Sequence, residues 1–389
     1  MEKVRLGVIG IGNMGSEHCR LILSGQTPEI TLTCVADPRE DRQAWAKEAL
    51  PAETRIFPDG EALIQAHLCD AVLIATPHYL HPALSEAALR AGLHVLSEKP
   101  AGVYTAQLHS VIAAARESGK TYALMFNQRT NCLYRRLKAL LDSGDMGEMK
   151  RVTWLITDWY RAQAYYDSGS WRATWNGEGG GVLLNQCPHQ LDLLQWLCGL
   201  PTAVRAFCHE GKWHDIEVED DVTAYLEFEG GATGVFIAST GELPGTNRLE
   251  IACDRGKVVC ENGQLTLWRL PHSESGYYRC GPTAYAHAEP EPEILTLDGE
   301  NPQHVGVLNA FAAHILHGTP LIAEGAEGIR ALMLSNAMHL SSWTNETVTL
   351  PIDEAKFAQL LAEKRLHSRR KQVHDVTYTT DHHGTGRSC

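Results

Sequence analysis

Asn185, Cys187, His189 and Asp192 fall within eight positions, directly after the glycines Gly179 to Gly181 and the aliphatic run Val182 to Leu184. Residues of these types hold a metal, carry proton chemistry on a ligand, or merely open a buried helix. Asn185, His189 and Asp192 recur at i, i+4 and i+7, which places all three on one helical face. Leu191, Leu194 and Trp196 are then turned toward the core. Pro188 fits a helix that begins near Asn185, because first-turn residues have no intrahelical N–H partner. As metal ligands the set is mixed, Cys187 points away from His189, and no second cluster with ligand spacing appears, so no metal is expected. An imidazole on such a face serves as a general base; a satisfied core histidine is the structural alternative. The glycines are expected to let the chain pass close to a ligand.

A second constellation lies at the N-terminal end. Gly10, Gly12 and Gly15 form GIGNMG, with Asn13 and Met14 inside it, between an apolar strand and a helical pattern. Asp37 closes the next strand. That context makes the motif a dinucleotide cradle: Gly10 for the turn, Gly12 for approach of a pyrophosphate, Gly15 for packing helix on strand, with phosphates at the helix N-terminus. A carboxylate at Asp37 accepts from both ribose hydroxyls and repels a 2′-phosphate, which favours NAD over NADP. Arg39 weighs the other way. After the fourth and fifth strands come ATPHYLHP and SEKPAG. Thr76, Pro77 and His78 are expected beside the nicotinamide ribose, although His78 and His81 read as loop or cap residues rather than catalysts. From physics alone Glu98 and Lys99 are a surface ion pair; at a carboxyl sheet edge a partly desolvated Lys99 can instead move protons.

Residues 157–181 concentrate Trp159, Tyr160, Tyr165, Tyr166, Trp171, Arg172 and Trp175. Pyranose C–H faces stack on such rings and hydroxyls take bidentate donors such as Arg172, so the loop suits a carbohydrate, with aromatic packing as the rival reading. Asn127, after the sixth strand, is placed to line the same cleft.

The elements behind these residues change character along the chain. Residues 4–127 alternate apolar strands with amphipathic helices, the pattern of a doubly wound parallel sheet. Past residue 148 come long alternating strands with GG, DRG and NG at the turns, which predicts an antiparallel meander. Two helical stretches, 304–318 and 324–343, are expected to cover one face of that sheet. The segment 271–302, rich in Pro, Glu and His, reads as a long loop over the site or at an oligomer contact. Three parts follow: 1–127 a nucleotide-binding domain, 128–365 a substrate and oligomerisation domain, 366–389 a tail. Two adjacent histidines in that tail, His382 and His383, read as part of a disordered end.

The chain of 389 residues is 44% hydrophobic and 21% charged, with formal net charge −13, the composition of a globular protein. That charge repels phosphate backbones and anionic lipids, so neither nucleic acid nor membrane is expected as a partner. The basic run KRLHSRRK reads as a solvated helix end. The start at MEKVRLGVIG leaves no space for a signal peptide, and eleven cysteines without a CxxC pair read as reduced thiols. A cytoplasmic protein is expected.

GIGNMG, ATP after the fourth strand, EKP after the fifth and the later GGG…H…D segment together resemble the glucose-fructose oxidoreductase, inositol dehydrogenase and MocA (Gfo/Idh/MocA) family, over residues 4 to about 350. The resemblance implies a Rossmann domain, then an α/β domain whose large, mostly antiparallel, open-faced sheet builds homodimers or homotetramers. It implies that Lys99 contacts the reacting hydroxyl and His189 is the general base. Asn185 departs from the family's usual Asp: it can hydrogen-bond a sugar hydroxyl but cannot take a proton, leaving Asp192 as the orienting carboxylate. WRATW and GEGGGVLLNQCPHQLD resemble a branch that oxidises sugars and glycosides. The expected function is therefore oxidation of a sugar or glycoside secondary hydroxyl by NAD, best at C3 of a glucoside. An inositol dehydrogenase and a glycosidase with retained NAD are the alternatives.

Overall fold

The computed structural model describes residues 2–280 and 288–369. Those residues divide into two compact units. One takes in the chain up to Thr130 with Gly177–Gly179 and Asn301–Leu332; the other takes in Asn131–Asn176, Gly180–Glu300 and the described residues from Met333.

The first unit is built on six parallel strands: β1 (Val4–Ile9), β2 (Ile30–Ala36), β3 (Arg55–Phe57), β4 (Ala71–Ile74), β5 (His94–Ser97) and β6 (Tyr122–Leu124), in the order β3-β2-β1-β4-β5-β6. Every residue of β4 and β6 is buried, as expected for strands covered on both faces. Strand order reverses between β1 and β4, and at such a switch point the carboxyl ends of the strands leave a crevice for ligands. One cover differs from the expectation. The helix Gln303–His317 packs here rather than on the second sheet, with Val307, Leu308, Phe311 and Ala312 in one core with Val4, Leu6 and Leu73. An apolar stripe fits any apolar face, so its periodicity alone did not say which one. The single expected domain 128–365 is corrected accordingly.

The second unit holds nine strands: β7 (Met149–Ile156), β8 (Ala203–Glu210), β9 (Glu219–Glu227), β10 (Thr233–Ser239), β11 (Asn247–Cys253), β12 (Gly256–Glu261), β13 (Gln264–Arg269), β14 (Pro292–Ile294) and β15 (Val348–Thr349). Their order is β14-β13-β12-β11-β7-β10-β9-β8-β15. The sheet is not a plain meander. β7 sits between two hairpin runs, parallel to β10 and antiparallel to β11. Val152, Trp154 and Ile156 of β7 and Phe236 and Ala238 of β10 are buried, so alternate residues face the core. The segment 271–302 is not a loop throughout: it contains the helix Glu274–Cys280 and edge strand β14 paired with β13. Residues 281–287 lie outside the described residues, as does the expected tail with its two histidines from residue 370 onward.

Candidate active site

In the first unit the glycine motif does what its spacing requires. Gly10 has φ +85°, and a Cβ there would meet the Ala75 carbonyl oxygen at 2.7 Å; one at Gly15 would meet the Gly10 carbonyl oxygen at 1.8 Å. A Cβ at Gly12 would meet nothing within 4 Å. The helix Asn13–Leu23 opens there with no acidic residue in its first turn and no side-chain cap, so its N-terminal amides suit an anion. The cradle thus fits a dinucleotide. Asp37 is buried, and its two carboxylate oxygens accept from the Ile11 N–H at 2.9 Å and the Arg39 N–H at 3.0 Å. Each oxygen retains acceptor capacity for a ribose hydroxyl. The Arg39 guanidinium is exposed and bound through two nitrogens to Asp41. Arg42, which the sequence reading passed over, donates from Nε to the Ile11 carbonyl at 2.7 Å and lies 4.8 Å from the Trp45 ring centre.

The loops after β4 and β5 are held together by a buried imidazole. His81 Nε2 lies 2.7 Å from the Thr76 carbonyl oxygen and Nδ1 2.8 Å from that of Pro100; burial lowers its pKa. His78 is also buried, with Nδ1 3.1 Å from the Glu178 carbonyl oxygen. The Thr76 hydroxyl is buried without a hydrogen-bond partner among the described residues, a vacancy in polar satisfaction that a ribose would fill. Glu98 is no surface ion pair. Its carboxylate is 5% exposed, 2.7 Å from His18 Nε2, and accepts the Lys99 N–H at 3.1 Å. Burial works to raise the Glu98 carboxyl, and the hydrogen bond and charge of His18 overcome it, holding it down to about 2. Lys99 itself is half-buried. Asn127 is 1% exposed and donates from Nδ2 to Gln303 Oε1 at 2.6 Å, tying it to the helix Gln303–His317, while its Oδ1 has no hydrogen-bond partner among the described residues.

In the second unit, every residue from Gly181 to Gln195 is buried except Asn185 and His189. The helix runs Pro188–Cys198 with Pro188 in its first turn; Asn185 precedes it, in a turn closed by its own N–H on the Gly181 carbonyl at 2.9 Å. The three polar residues therefore do not share one helical face. Asp192 is 1% exposed and accepts from Gln195 Nε2 at 3.0 Å, so it belongs to the helix interior rather than to a ligand surface. Cys187 is buried at the helix cap. Two of the glycines answer steric demands inside the protein: a Cβ at Gly181 would lie 1.9 Å from the Glu219 carbonyl oxygen, and one at Gly179 2.4 Å from Val103. Among the described residues no group of three His, Cys, Asp or Glu side chains could hold a metal ion.

The aromatic loop divides in two. Trp175 is 3% exposed and packs on His339 and Trp343, which removes it from the substrate surface. Tyr160 is exposed and Trp171 half-buried. The Arg172 guanidinium lies 4.7 Å from the Trp171 ring centre and 4.6 Å from that of Tyr165, and donates to the Tyr165 hydroxyl at 2.8 Å. Tyr165 in turn reaches Asn185 Oδ1 at 3.4 Å. Tyr165 is one aromatic among six in residues 157–181 of the sequence; only folding singles it out.

The cradle and the reachable imidazole define an NAD-binding oxidoreductase. Residues 4–126 match the model described as oxidoreductase family, NAD-binding Rossmann fold, and residues 134–259 match the GFO/IDH/MocA C-terminal domain. The chain belongs to the Gfo/Idh/MocA family of oxidoreductases. It is 25% identical over 353 residues to a myo-inositol 2-dehydrogenase of Thermotoga maritima, covering 89% of this chain and 98% of the relative. It is 24% identical over 369 residues to a D-glucoside 3-dehydrogenase of Escherichia coli, covering 89% and 97%. Its fold is also that of the WlbA dehydrogenase from Bordetella pertussis, solved with NADH and UDP-GlcNAcA, at TM-score 0.77 and 24% identity over 91% of this chain and 99% of that one.

Proposed function

We propose that the protein oxidises a secondary hydroxyl of a sugar or glycoside, with C3 of a glucoside as the leading candidate and NAD as the oxidant. The observation that carries this reading is the pair Asn185 and His189, the two positions left reachable in an otherwise buried stretch, beside the Trp171 and Arg172 platform. Names of both relatives support a polyhydroxylated substrate, a glucoside in one case and an inositol in the other.

The amides of Gly12, Asn13 and Met14 hold the pyrophosphate, Asp37 the adenosine ribose, and Thr76 and Pro77 the nicotinamide ribose. Bound there, NAD supplies the hydride acceptor. His189 takes the hydroxyl proton on a ring nitrogen, and Lys99 hydrogen-bonds the same oxygen. Asn185 holds a substrate hydroxyl without entering the proton transfer, because a carboxamide has no proton to exchange in this range. Tyr160 and Trp171 give rings on which a pyranose face stacks. Cys19, Cys34, Cys69, Cys132, Cys198, Cys208 and Cys253 are free thiols, which supports a reducing, cytoplasmic location, and no described helix is long and apolar enough to cross a membrane. Homodimers or homotetramers form through the open face of the nine-stranded sheet, where Phe207 and Tyr225 are about half exposed, at 51% and 45%.

The test incubates the protein with NAD and a panel of glucosides and inositols, following NADH absorbance and product mass. Expected are NADH and a product two mass units lighter, and a loss of kcat of about 100-fold or more in His189→Ala and in Lys99→Met. Turnover intact in both variants overturns the assignment. A cleaved glycoside without net NADH selects the retained-NAD glycosidase, and an inositol as sole substrate selects the cyclitol reading.

A further inference from the structure

Glu219, the first residue of β9, is a buried carboxylate with no role in the chemistry above. Its two oxygens accept the Gly181 N–H at 2.9 and 2.8 Å, and Oε1 accepts the Leu183 N–H at 3.0 Å. The intervening Val182 N–H goes to the Glu219 main-chain oxygen at 2.9 Å. Three successive amides thus converge on one residue. From there the turn continues outward: the Gly181 carbonyl accepts from Leu184 and Asn185, and the Val182 carbonyl from Cys187, which caps the helix carrying His189.

A second element backs the carboxylate. His339, 1% exposed on the helix Gly328–Thr344, places Nε2 3.0 Å from Glu219 Oε2 and stacks on Trp343. Burial favours the neutral acid, while the charge of His339 and the amides act against it, and the Glu219 carboxyl ends below its ordinary range. A buried ion pair is a poor device for stability alone, since well-packed apolar residues of similar volume often do as well. What an apolar residue cannot supply is a fixed set of acceptors for the turn.

We propose that Glu219, backed by His339, is a positioning residue for the dehydrogenase reaction: its carboxylate clamps the amides of Gly181 and Leu183 and thereby sets the aim of Asn185 and His189. The proposal rests on the reading of His189 as the base. Its test pairs Glu219→Gln, which keeps one carbonyl-type oxygen, with His339→Gln, which keeps the carboxylate and removes the imidazole beside it. Hydrogen exchange at Gly181 and Leu183 is read alongside kcat, substrate KM and NAD affinity, with melting to establish that each variant is folded.

Expected in Glu219→Gln is exchange at both amides faster by tenfold or more, and kcat lower by about 100-fold, the usual consequence of a misaimed group, with KM and NAD affinity within twofold of wild type. His339→Gln moves both readouts the same way by less. Wild-type exchange at the two amides in folded Glu219→Gln overturns the clamp, and fast exchange with wild-type kcat overturns its link to catalysis. Should Glu219→Gln fail to fold, a wild-type result in His339→Gln on both readouts overturns the proposal. A wild-type protein that oxidises nothing in the panel sinks the reading of His189 instead, and the exchange data still decide whether Glu219 holds the turn.

Discussion

At the scale of single residues, the positions proposed to touch a ligand were more legible than the positions that hold them. GIGNMG could be read because Gly10 and Gly15 each answer a separate steric demand of the chain in a strand–turn–helix context. Glu98 could not. Its neighbours in sequence made it an ion pair with Lys99, whereas its partner in space is His18, eighty residues away. That pairing has a measurable consequence. The Glu98 carboxyl titrates near 2 in the folded chain against an ordinary value of 4.5, so the native state binds fewer protons than the unfolded one below about pH 5. The stabilisation is complete above that pH and is lost as pH falls toward 2, with a magnitude on the order of 3 kcal/mol. Urea melts between pH 6 and 2.5 are expected to show a steeper acid loss in wild type than in Glu98→Gln. Parallel curves would mean that Glu98 carries no such linkage.

At the scale of elements, two of the glycines that the sequence marks as ligand access also answer demands inside the protein, Gly181 from Glu219 and Gly179 from Val103. A glycine reports that something comes close; it does not report what. The helix Gln303–His317 teaches a related lesson, because its apolar stripe was plain and its docking face was not. β7 likewise reads as a strand from Val152, Trp154 and Ile156, but its place between β11 and β10 depends on pairings that no local pattern encodes. Gly181→Ala tests the turn directly. The added Cβ, 1.9 Å from the Glu219 carbonyl oxygen, forces the turn apart, which costs about 1–3 kcal/mol as overpacking does. The expected result is a lower Tm together with lost turnover and retained NAD affinity, measured by calorimetry and NADH fluorescence. Wild-type turnover in Gly181→Ala would show that the turn tolerates the displacement.

At the scale of the whole molecule, the proposed reaction draws on both units, the first for the cofactor cradle and the second for the imidazole of His189. The second also presents a sheet face on which exposed Phe207 and Tyr225 stand beside half-buried Val235 and Ile237. If the proposed assembly through this face holds, wild type is a dimer or tetramer in light scattering and Phe207→Lys combined with Tyr225→Lys is a monomer; a monomeric wild type or an unchanged mass in the variant overturns it. The central claim, that a carbinol hydride leaves the substrate for the nicotinamide, is tested most directly by isotope. A glucoside deuterated at C3 is incubated with the protein and NAD, and the reduced cofactor is weighed. Transfer predicts NADH one mass unit heavier and a C3 ketone free of deuterium; deuterium retained on the sugar, or cleavage of the glycoside with no reduced cofactor, would contradict it.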